Sequence, residues 1–125
     1  MGAAGVLSVR RVYVIDPMAK ARPRVTSRGT FMPTKYTNWK ATCAWLGVVI
    51  EDEVGVEFVI AMPRSWSKKK RAEMDGVPHR STPDLDNLLG GLMDAARKDD
   101  SGVHRVMASK RWGECGLIEV WPLVT

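Results

Sequence analysis

The apolar residues of this chain occur in short runs that are separated by segments containing proline and glycine. The longest uninterrupted run extends from Cys43 to Ile50, whereas a membrane-spanning helix needs roughly 20 apolar residues. Hydrophobic residues make up 45% of the 125-residue chain, a share that is typical of a globular domain and argues against disorder. We therefore predict a single domain over 1–125 with no membrane partner.

The N-terminal segment and the two cysteines indicate a cytosolic protein. Arg10 and Arg11 interrupt the N-terminal segment, and no basic region precedes an apolar one, so we expect no secretory signal. Cys43 and Cys115 lie far apart in the chain and lack the neighbouring ligands of a zinc site. We interpret both as reduced, buried packing residues, which argues against the secreted and zinc-finger classes.

β-Branched runs and helical spacing predict an alternation of strands and helices. Thr34 and Ser67 are predicted N-caps, and Gly113-Glu114 is predicted to form a tight hairpin connection between the last two strands. In chain order, the predicted elements are a strand over 5–15, a loop or loose hairpin over 16–33, a helix over 34–50, a strand over 54–62, a short basic helix over 68–74, a helix that begins near Asp86, and strands over 102–112 and 115–121. This order predicts an α+β fold, in which a small mixed β-sheet packs with two main helices.

Helical spacing also predicts the faces that pack in the core. Trp39 and Trp45 in the first long helix are interpreted as core residues rather than as surfaces for base stacking. Gly90 and Gly91 interrupt the third helix at a cost of roughly 1 kcal/mol each relative to alanine, so we expect close packing against another backbone there. The core-facing stripe of that helix comprises Leu88, Leu89, Leu92, Met93 and Ala96.

The net charge of +5, from 19 Lys and Arg against 14 Asp and Glu, conceals a segregation of charge along the chain. Residues 17–40 contain six cations and no acid, and residues 64–80 contain six cations against two acids. Residues 81–101 carry five aspartates against two cations. A single charged residue usually indicates only a solvent-exposed position. This segregated pattern is instead typical of a protein that binds a phosphate backbone and holds a divalent cation against it.

Asp84 and Asp86 are the most informative acidic residues. In an extended segment, residues i and i+2 lie on the same side, so both carboxylates can project together where the chain enters the third helix. Together with Asp100 they would form a cluster of oxygen ligands suited to Mg²⁺ or Mn²⁺. On spacing alone the ordinary interpretation is favoured, with Asp86 as N-cap, Asp84 stabilised by the helix dipole, and Asp99 and Asp100 as turn residues. The sequence leaves open whether Asp100 approaches Asp84 within one chain or at the helix entrance of a partner subunit.

These residues resemble a known family. Pro83-Asp84-Leu85-Asp86-Asn87-Leu88-Leu89, followed by Asp94-Ala95-Ala96 and Asp99-Asp100, is similar to the RusA family of Holliday junction resolvases, which are endodeoxyribonucleases common in phages and prophages. The resemblance extends over roughly 18–121 and includes three basic segments, Arg22-Pro23-Arg24-Val25-Thr26, Met62 to Arg71, and Lys110-Arg111-Trp112.

The resemblance implies a homodimer in the cytoplasm of a bacterial cell or phage-infected host that binds four-way DNA junctions. It implies paired, symmetric nicks that depend on Mg²⁺, with Mn²⁺ as a possible substitute, and that leave 5′-phosphate and 3′-hydroxyl ends. By position, the three catalytic, metal-binding aspartates of the family fall on Asp84, Asp86 and Asp100. The basic residues predicted to contact DNA phosphates are Lys20, Arg22, Arg24, Arg28, Lys68, Lys69, Lys70 and Arg71.

One departure from the family concerns Gly90, which occupies the position of a lysine four residues after the second aspartate. That lysine could stabilise charge on the scissile phosphate and pair with Asp94 one turn away. Lys110, predicted to be catalytic, and Lys98 are candidates to replace it. The alternatives are a catalytically weakened protein that only binds junctions, and a small RNA-binding or ribonuclease domain. His79 has no partner pattern, which favours a surface or DNA-contacting role over catalysis.

Overall fold

Segments rich in valine and isoleucine form a mixed sheet of four strands, with the order β1-β6-β4-β5, in the computed structural model. The structure describes residues 9–99 and 101–123, so positions 5–8 of the strand predicted over 5–15, and Asp100, lie outside the described residues. The elements are β1 (Arg11–Tyr13), β2 (Arg24–Thr26), β3 (Gly29–Phe31), α1 (Thr34–Trp45), β4 (Glu53–Ala61), α2 (Lys68–Met74), α3 (Leu85–Ala96), β5 (Arg105–Gly113) and β6 (Leu117–Pro122). The predicted α+β class with a mixed sheet is confirmed, and the loose hairpin is formed by β2 and β3.

Strand β4 forms the centre of the sheet and of the hydrophobic core. It pairs in parallel with β5 and antiparallel with β6, and its side chains are buried on both faces of the sheet. Val54, Val56 and Phe58 are fully buried on one side of the strand, and Val59 is buried on the other. Tyr36, Trp39 and Cys43 of α1 and Leu88 and Leu92 of α3 belong to the same core.

The predicted hairpin between the last two strands is wrong. β5 pairs with one side of β4, whereas β6 pairs with the other side, so residues 114–116 cross the end of β4. A side chain at Gly113 would meet Val59, so glycine permits this crossing, and Met62 N–H donates to the Gly113 carbonyl at 3.0 Å. Cys115 lies in this connection and is exposed, so its predicted burial is also wrong, whereas that of Cys43 is confirmed.

Helix α1 ends earlier than predicted because Gly47 adopts a positive φ of 71°. Gly47 N–H donates to the Ala44 carbonyl and Val48 N–H donates to the Cys43 carbonyl, the paired bonds of a Schellman motif. Trp39 is buried as predicted, but Trp45 is 84% exposed, so its assignment to the core is wrong. Two residues after Cys43, a helix has turned by about 200°, which directs Trp45 away from the core.

The sequence predicted the N-cap residue of α2 correctly but not that of α1. The Ser67 hydroxyl accepts a hydrogen bond from Lys70 N–H at 3.1 Å, which confirms Ser67 as the N-cap of α2. Thr34 is instead the first residue of α1, and Pro33 occupies the N-cap position without a side-chain hydrogen bond. None of the helices in the described part of the chain has the length and apolar character that crossing a membrane requires.

The two glycines of α3 have different surroundings. A Cβ atom at Gly91 would collide with the Met18 carbonyl oxygen, so the expected close backbone packing is confirmed at this position. A Cβ atom at Gly90 would meet only the side chain of Lys20, at 3.6 Å. The segment over 18–20 therefore crosses the helix directly above Gly91.

We expect Gly91→Ala to lower the free energy of unfolding by about 2 kcal/mol, because the added methyl group must displace the crossing backbone. Gly90→Ala is the matched control in the same helix, and we expect it to raise the stability by about 1 kcal/mol through helix propensity. Urea unfolding of both variants measures the difference. Equal effects of the two substitutions would contradict the close contact at Gly91.

Candidate active site

The entrance of α3 presents two carboxylates that have no partner in the part of the chain that the structure describes. Asp84 occupies the N-cap position in an extended conformation, with φ −69° and ψ 147°, but its side chain makes no capping hydrogen bond. Asp86 lies in the first turn and is exposed, so its predicted N-cap role is wrong. Among the described residues, neither carboxylate accepts a hydrogen bond or joins an ion pair. We call Asp84 and Asp86 the carboxylate pair.

Lys110 on β5 fixes the backbone that leads to the carboxylate pair. Its ammonium group donates to the Ser81 carbonyl and, at 2.8 Å, to the Pro83 carbonyl immediately before Asp84. Two of its three N–H donors are thereby engaged with backbone. The structure thus brings Lys110 beside Asp84, as a residue that positions the loop.

The loop before α3 is also held along the exposed edge of the sheet. Gly76 N–H donates to the Trp112 carbonyl, and Trp112 N–H donates to the Val77 carbonyl, each at 3.0 Å. His79 N–H donates to the Lys110 carbonyl at 3.0 Å. These bonds satisfy backbone groups of the edge strand β5 and orient residues 80–83 toward the entrance of α3.

Lys20 occupies the space that a side chain at Gly90 would enter. Lys20 N–H donates to the Asn87 carbonyl at 2.9 Å, and its Cβ and Cδ atoms pack over Gly90. A lysine from a distant part of the sequence therefore covers the position where the family motif has its own lysine. Lys98, the other sequence candidate, follows the opposite end of α3, whose axis is about 16 Å long.

Asp94 forms a network one turn after Gly90. Its Oδ2 atom accepts hydrogen bonds from the Tyr36 hydroxyl at 2.6 Å and from the Lys40 ammonium at 3.2 Å. The Tyr36 hydrogen bond, followed by Lys40 and the nearby charge of Lys20, holds the pKa of Asp94 below its usual value. Burial and the bond to Asp94 raise the pKa of Tyr36. The partner expected for Asp94 on its own helix is thus replaced by cations from other segments.

We expect Tyr36→Phe to raise the pKa of Asp94 and to lower the stability by about 1 kcal/mol at neutral pH. Because the pKa of Asp94 is depressed in the folded state, its contribution exists above the unfolded value of about 3.9 and is lost as the pH falls through the folded value. NMR titration of the Asp94 carboxyl and unfolding between pH 2 and 7 measure both effects, with Tyr13→Phe as control. An unchanged Asp94 titration in Tyr36→Phe would contradict this account.

Comparison with known families gives a match over most of the chain. The family described as Endodeoxyribonuclease RusA matches residues 15–121 of the 125. The chain belongs to the RusA endodeoxyribonuclease family. Comparison with curated proteins gives no match. The predicted RusA family is therefore confirmed, and the carboxylate pair of this RusA-family chain lies within the matched region.

Of the two aspartates that follow α3, the structure describes Asp99. Asp99 accepts a hydrogen bond from Ser101 N–H at 2.9 Å, which lowers its pKa and confirms a turn role for Asp99. Asp100 lies outside the described residues. Within the described part of the chain, no three Asp, Glu, His or Cys side chains are grouped closely enough to hold a metal ion. The carboxylate pair and Asp99 are separated by the length of α3.

One basic segment of the RusA-family chain contacts α3, and another contacts the loop before α3. The segment over 18–20 crosses α3 and leads into the hairpin of β2 and β3, whose residues are all exposed. Of the residues predicted to contact DNA, those in and near this hairpin are Lys20, Arg22, Arg24 and Arg28, and all four are exposed.

Helix α2 provides the second basic segment, in which Lys68, Lys69 and Lys70 are exposed. Arg71 differs because its guanidinium donates to the Pro63 carbonyl and to Glu114, both at 3.0 Å. Arg71 therefore anchors α2 to the connection between β5 and β6, and the three lysines form the basic surface of the helix.

Proposed function

We propose that this RusA-family protein is a Mg²⁺-dependent endonuclease that resolves four-way DNA junctions by paired, symmetric nicks. The observation that supports the proposal is the carboxylate pair, which has no described protein partner and lies at the start of a helix that an exposed basic segment crosses. The basic segments would bind phosphates without reading sequence, so selectivity would come from the shape of the junction.

The carboxylate pair fits a divalent cation. Two exposed, unpaired carboxylates near each other in the chain repel, and a bound cation relieves that repulsion. Their oxygen atoms, without histidine or cysteine, suit Mg²⁺ or Mn²⁺, and we propose Asp100 as a third ligand. When bound, the metal would polarise the scissile phosphodiester and activate a water molecule.

Two lysines would assist the carboxylate pair in different ways. Lys110 holds the Pro83 carbonyl and thereby keeps the Asp84 carboxylate in place. Lys20, packed over Gly90, would direct its ammonium group toward the negative charge that develops on the phosphate. In this proposal Lys20 supplies the cation that the family motif carries on α3.

The proposal includes a homodimer, because two symmetric nicks in a four-way junction require two active sites related by a two-fold axis. Asp84 and Asp99 lie at opposite ends of a helix about 16 Å long. A partner subunit whose α3 runs antiparallel would therefore bring its own Asp100 to the carboxylate pair.

The decisive experiment is cleavage of an end-labelled four-way junction with Mg²⁺, with Mn²⁺, and with a chelator. We expect nicks at symmetric positions in two opposing strands, products that DNA ligase can reseal, and no nicks with the chelator. A linear duplex of the same sequence is the control and should remain intact. Junctions left uncut with both metals would refute the proposal.

The glycine at position 90 favours a second candidate function, in which the protein binds junctions with little or no catalysis. It would bind the four-way junction tightly, with an affinity that falls steeply as salt is added, but would leave it uncut with either metal. Gly90→Lys separates the two candidates, because cleavage gained by this variant would show that the missing lysine limits the wild-type chain.

A further inference from the structure

A cavity of about 570 Å³ opens between α2, the loop before α3 and β5. Its volume lies in the range of small-ligand sites. The cavity is separate from the carboxylate pair, and neither the proposed metal chemistry nor the proposed phosphate contacts give it a role. Residues that line it include Trp66, Trp112, Met74, Lys70, Arg80 and Ser81.

Two tryptophans provide the aromatic surface of this cavity. The rings of Trp66 and Trp112 are 4.8 Å apart and tilted by 57°. The His79 ring packs against Trp112 at 4.3 Å and is only 4% exposed, so the predicted surface position of His79 is wrong. Burial, together with the charge of Lys110, lowers the pKa of His79, so a neutral ring supports Trp112 from behind.

Cations stand at the rim of the cavity. The Lys70 ammonium lies 4.3 Å from the centre of the Trp66 ring, and Arg80, which also lines the cavity, is exposed. Lys70 has a flexible stem, so its ammonium group can leave the ring when another planar group stacks there. The cavity thus combines aromatic faces with positive charges that can hold a phosphate.

The cavity is connected to the candidate active site by one side chain. Lys110 donates to the carbonyl of Ser81, which lines the cavity, and to the carbonyl of Pro83, which precedes Asp84. A nucleotide held in the cavity would therefore lie beside the phosphate that faces the carboxylate pair.

We propose that this cavity binds an unstacked nucleobase of the branched DNA, next to the scissile phosphate; the inference rests on the proposed junction-cleaving function. Every base has a π-face that can stack on tryptophan, and the rim cations would hold the phosphates on either side of the base. Bases at a branch point are among the least costly to unstack, so the cavity would favour branched over fully paired DNA.

Photocrosslinking with a four-way junction that carries 5-iodouracil beside the branch point tests the inference, with a chelator present to prevent cleavage. We expect crosslinks to Trp66 or Trp112 and none when the same base is placed within a linear duplex. Trp66→Leu should weaken junction binding by about tenfold, the contribution of one stacked base, and leave duplex binding unchanged. Trp45→Leu is the matched control, because Trp45 is exposed on α1, outside the cavity.

Because Trp66 packs against Trp112, thermal unfolding of Trp66→Leu is measured alongside the binding assay to check that the variant folds. Lys70 is exposed, so Lys70→Gln provides a second variant that should fold normally and bind the junction less tightly. Normal junction binding by both variants, or crosslinks that map outside the cavity, would refute base binding in the cavity without refuting the proposed nuclease function. A wild-type protein that does not prefer junctions to duplex DNA would refute both base binding in the cavity and the proposed function.

Discussion

Asp86→Asn is expected to reduce junction cleavage by about 10³-fold while leaving junction binding intact. Asparagine keeps the size of the side chain but removes the negative charge that would hold the metal against the phosphate. Because Asp86 is exposed and has no hydrogen bond or ion pair among the described residues, the fold should not depend on it. Removal of an acid near bound DNA should not weaken the contacts made by the basic segments.

Single-turnover cleavage and gel-shift binding of the same labelled junction measure the two properties separately. Asp84→Asn should behave in the same way, and Asp100→Asn should do so if Asp100 completes the metal site. Glu73→Gln is the matched control, because Glu73 is an exposed acid on α2 away from the carboxylate pair. Cleavage by Asp86→Asn at the wild-type rate would remove the basis of the metal proposal, as would loss of binding with cleavage retained.

Lys20→Ala is expected to lower the cleavage rate at saturating DNA by about 10²-fold. The Cβ and Cδ atoms of Lys20 pack over Gly90, and its charge contributes to the lowered pKa of Asp94, so we propose that its ammonium group takes the role of the lysine that the RusA resemblance places at position 90. If Lys20 only contacted phosphates, its loss would raise KM and leave kcat unchanged. The separation of kcat from KM therefore distinguishes a catalytic contribution from simple DNA binding.

Gly90→Lys in the Lys20→Ala protein provides the rescue experiment. A Cβ atom at Gly90 meets only the Lys20 side chain, so shortening Lys20 leaves room for the new side chain. We expect most of the lost cleavage to return. Lys35→Ala is the matched control, because Lys35 is an exposed lysine on α1 that does not contact Gly90 and should not affect kcat. Failure of the rescue together with an unchanged kcat in Lys20→Ala would refute the assignment of Lys20.

Short-range patterns in the sequence predicted much of the fold and of the candidate site. The N-cap at Ser67, the core stripe on α3 and the need for close packing at Gly91 follow from spacing within one element. The same kind of short spacing singled out Asp84 and Asp86, because two residues that are two positions apart need only a local conformation to project together, but their joint role stays a prediction. Trp66 lies between basic residues in the chain, a signal for nucleic-acid contact that could have indicated the cavity.

Predictions that depended on distant parts of the chain were less successful. The last two strands are close in sequence and read as a hairpin, yet β4 lies between them in the sheet. The burial of His79 depends on which elements pack around its loop, and no local pattern contains that information, whereas the exposure of Trp45 follows from helical spacing relative to Cys43.

The sequence by itself determined the RusA family and the positions of the basic segments along the chain, because residue types and short spacings specify these, whereas metal binding by the carboxylate pair stays a prediction. Only the tertiary structure decided that Lys20 covers Gly90, that Lys110 fixes the approach to Asp84, and that two tryptophans line a cavity beside it. Each of these contacts joins residues far apart in the chain. Their proximity arises from the packing of the sheet, the crossing segment and α3, which no local pattern encodes.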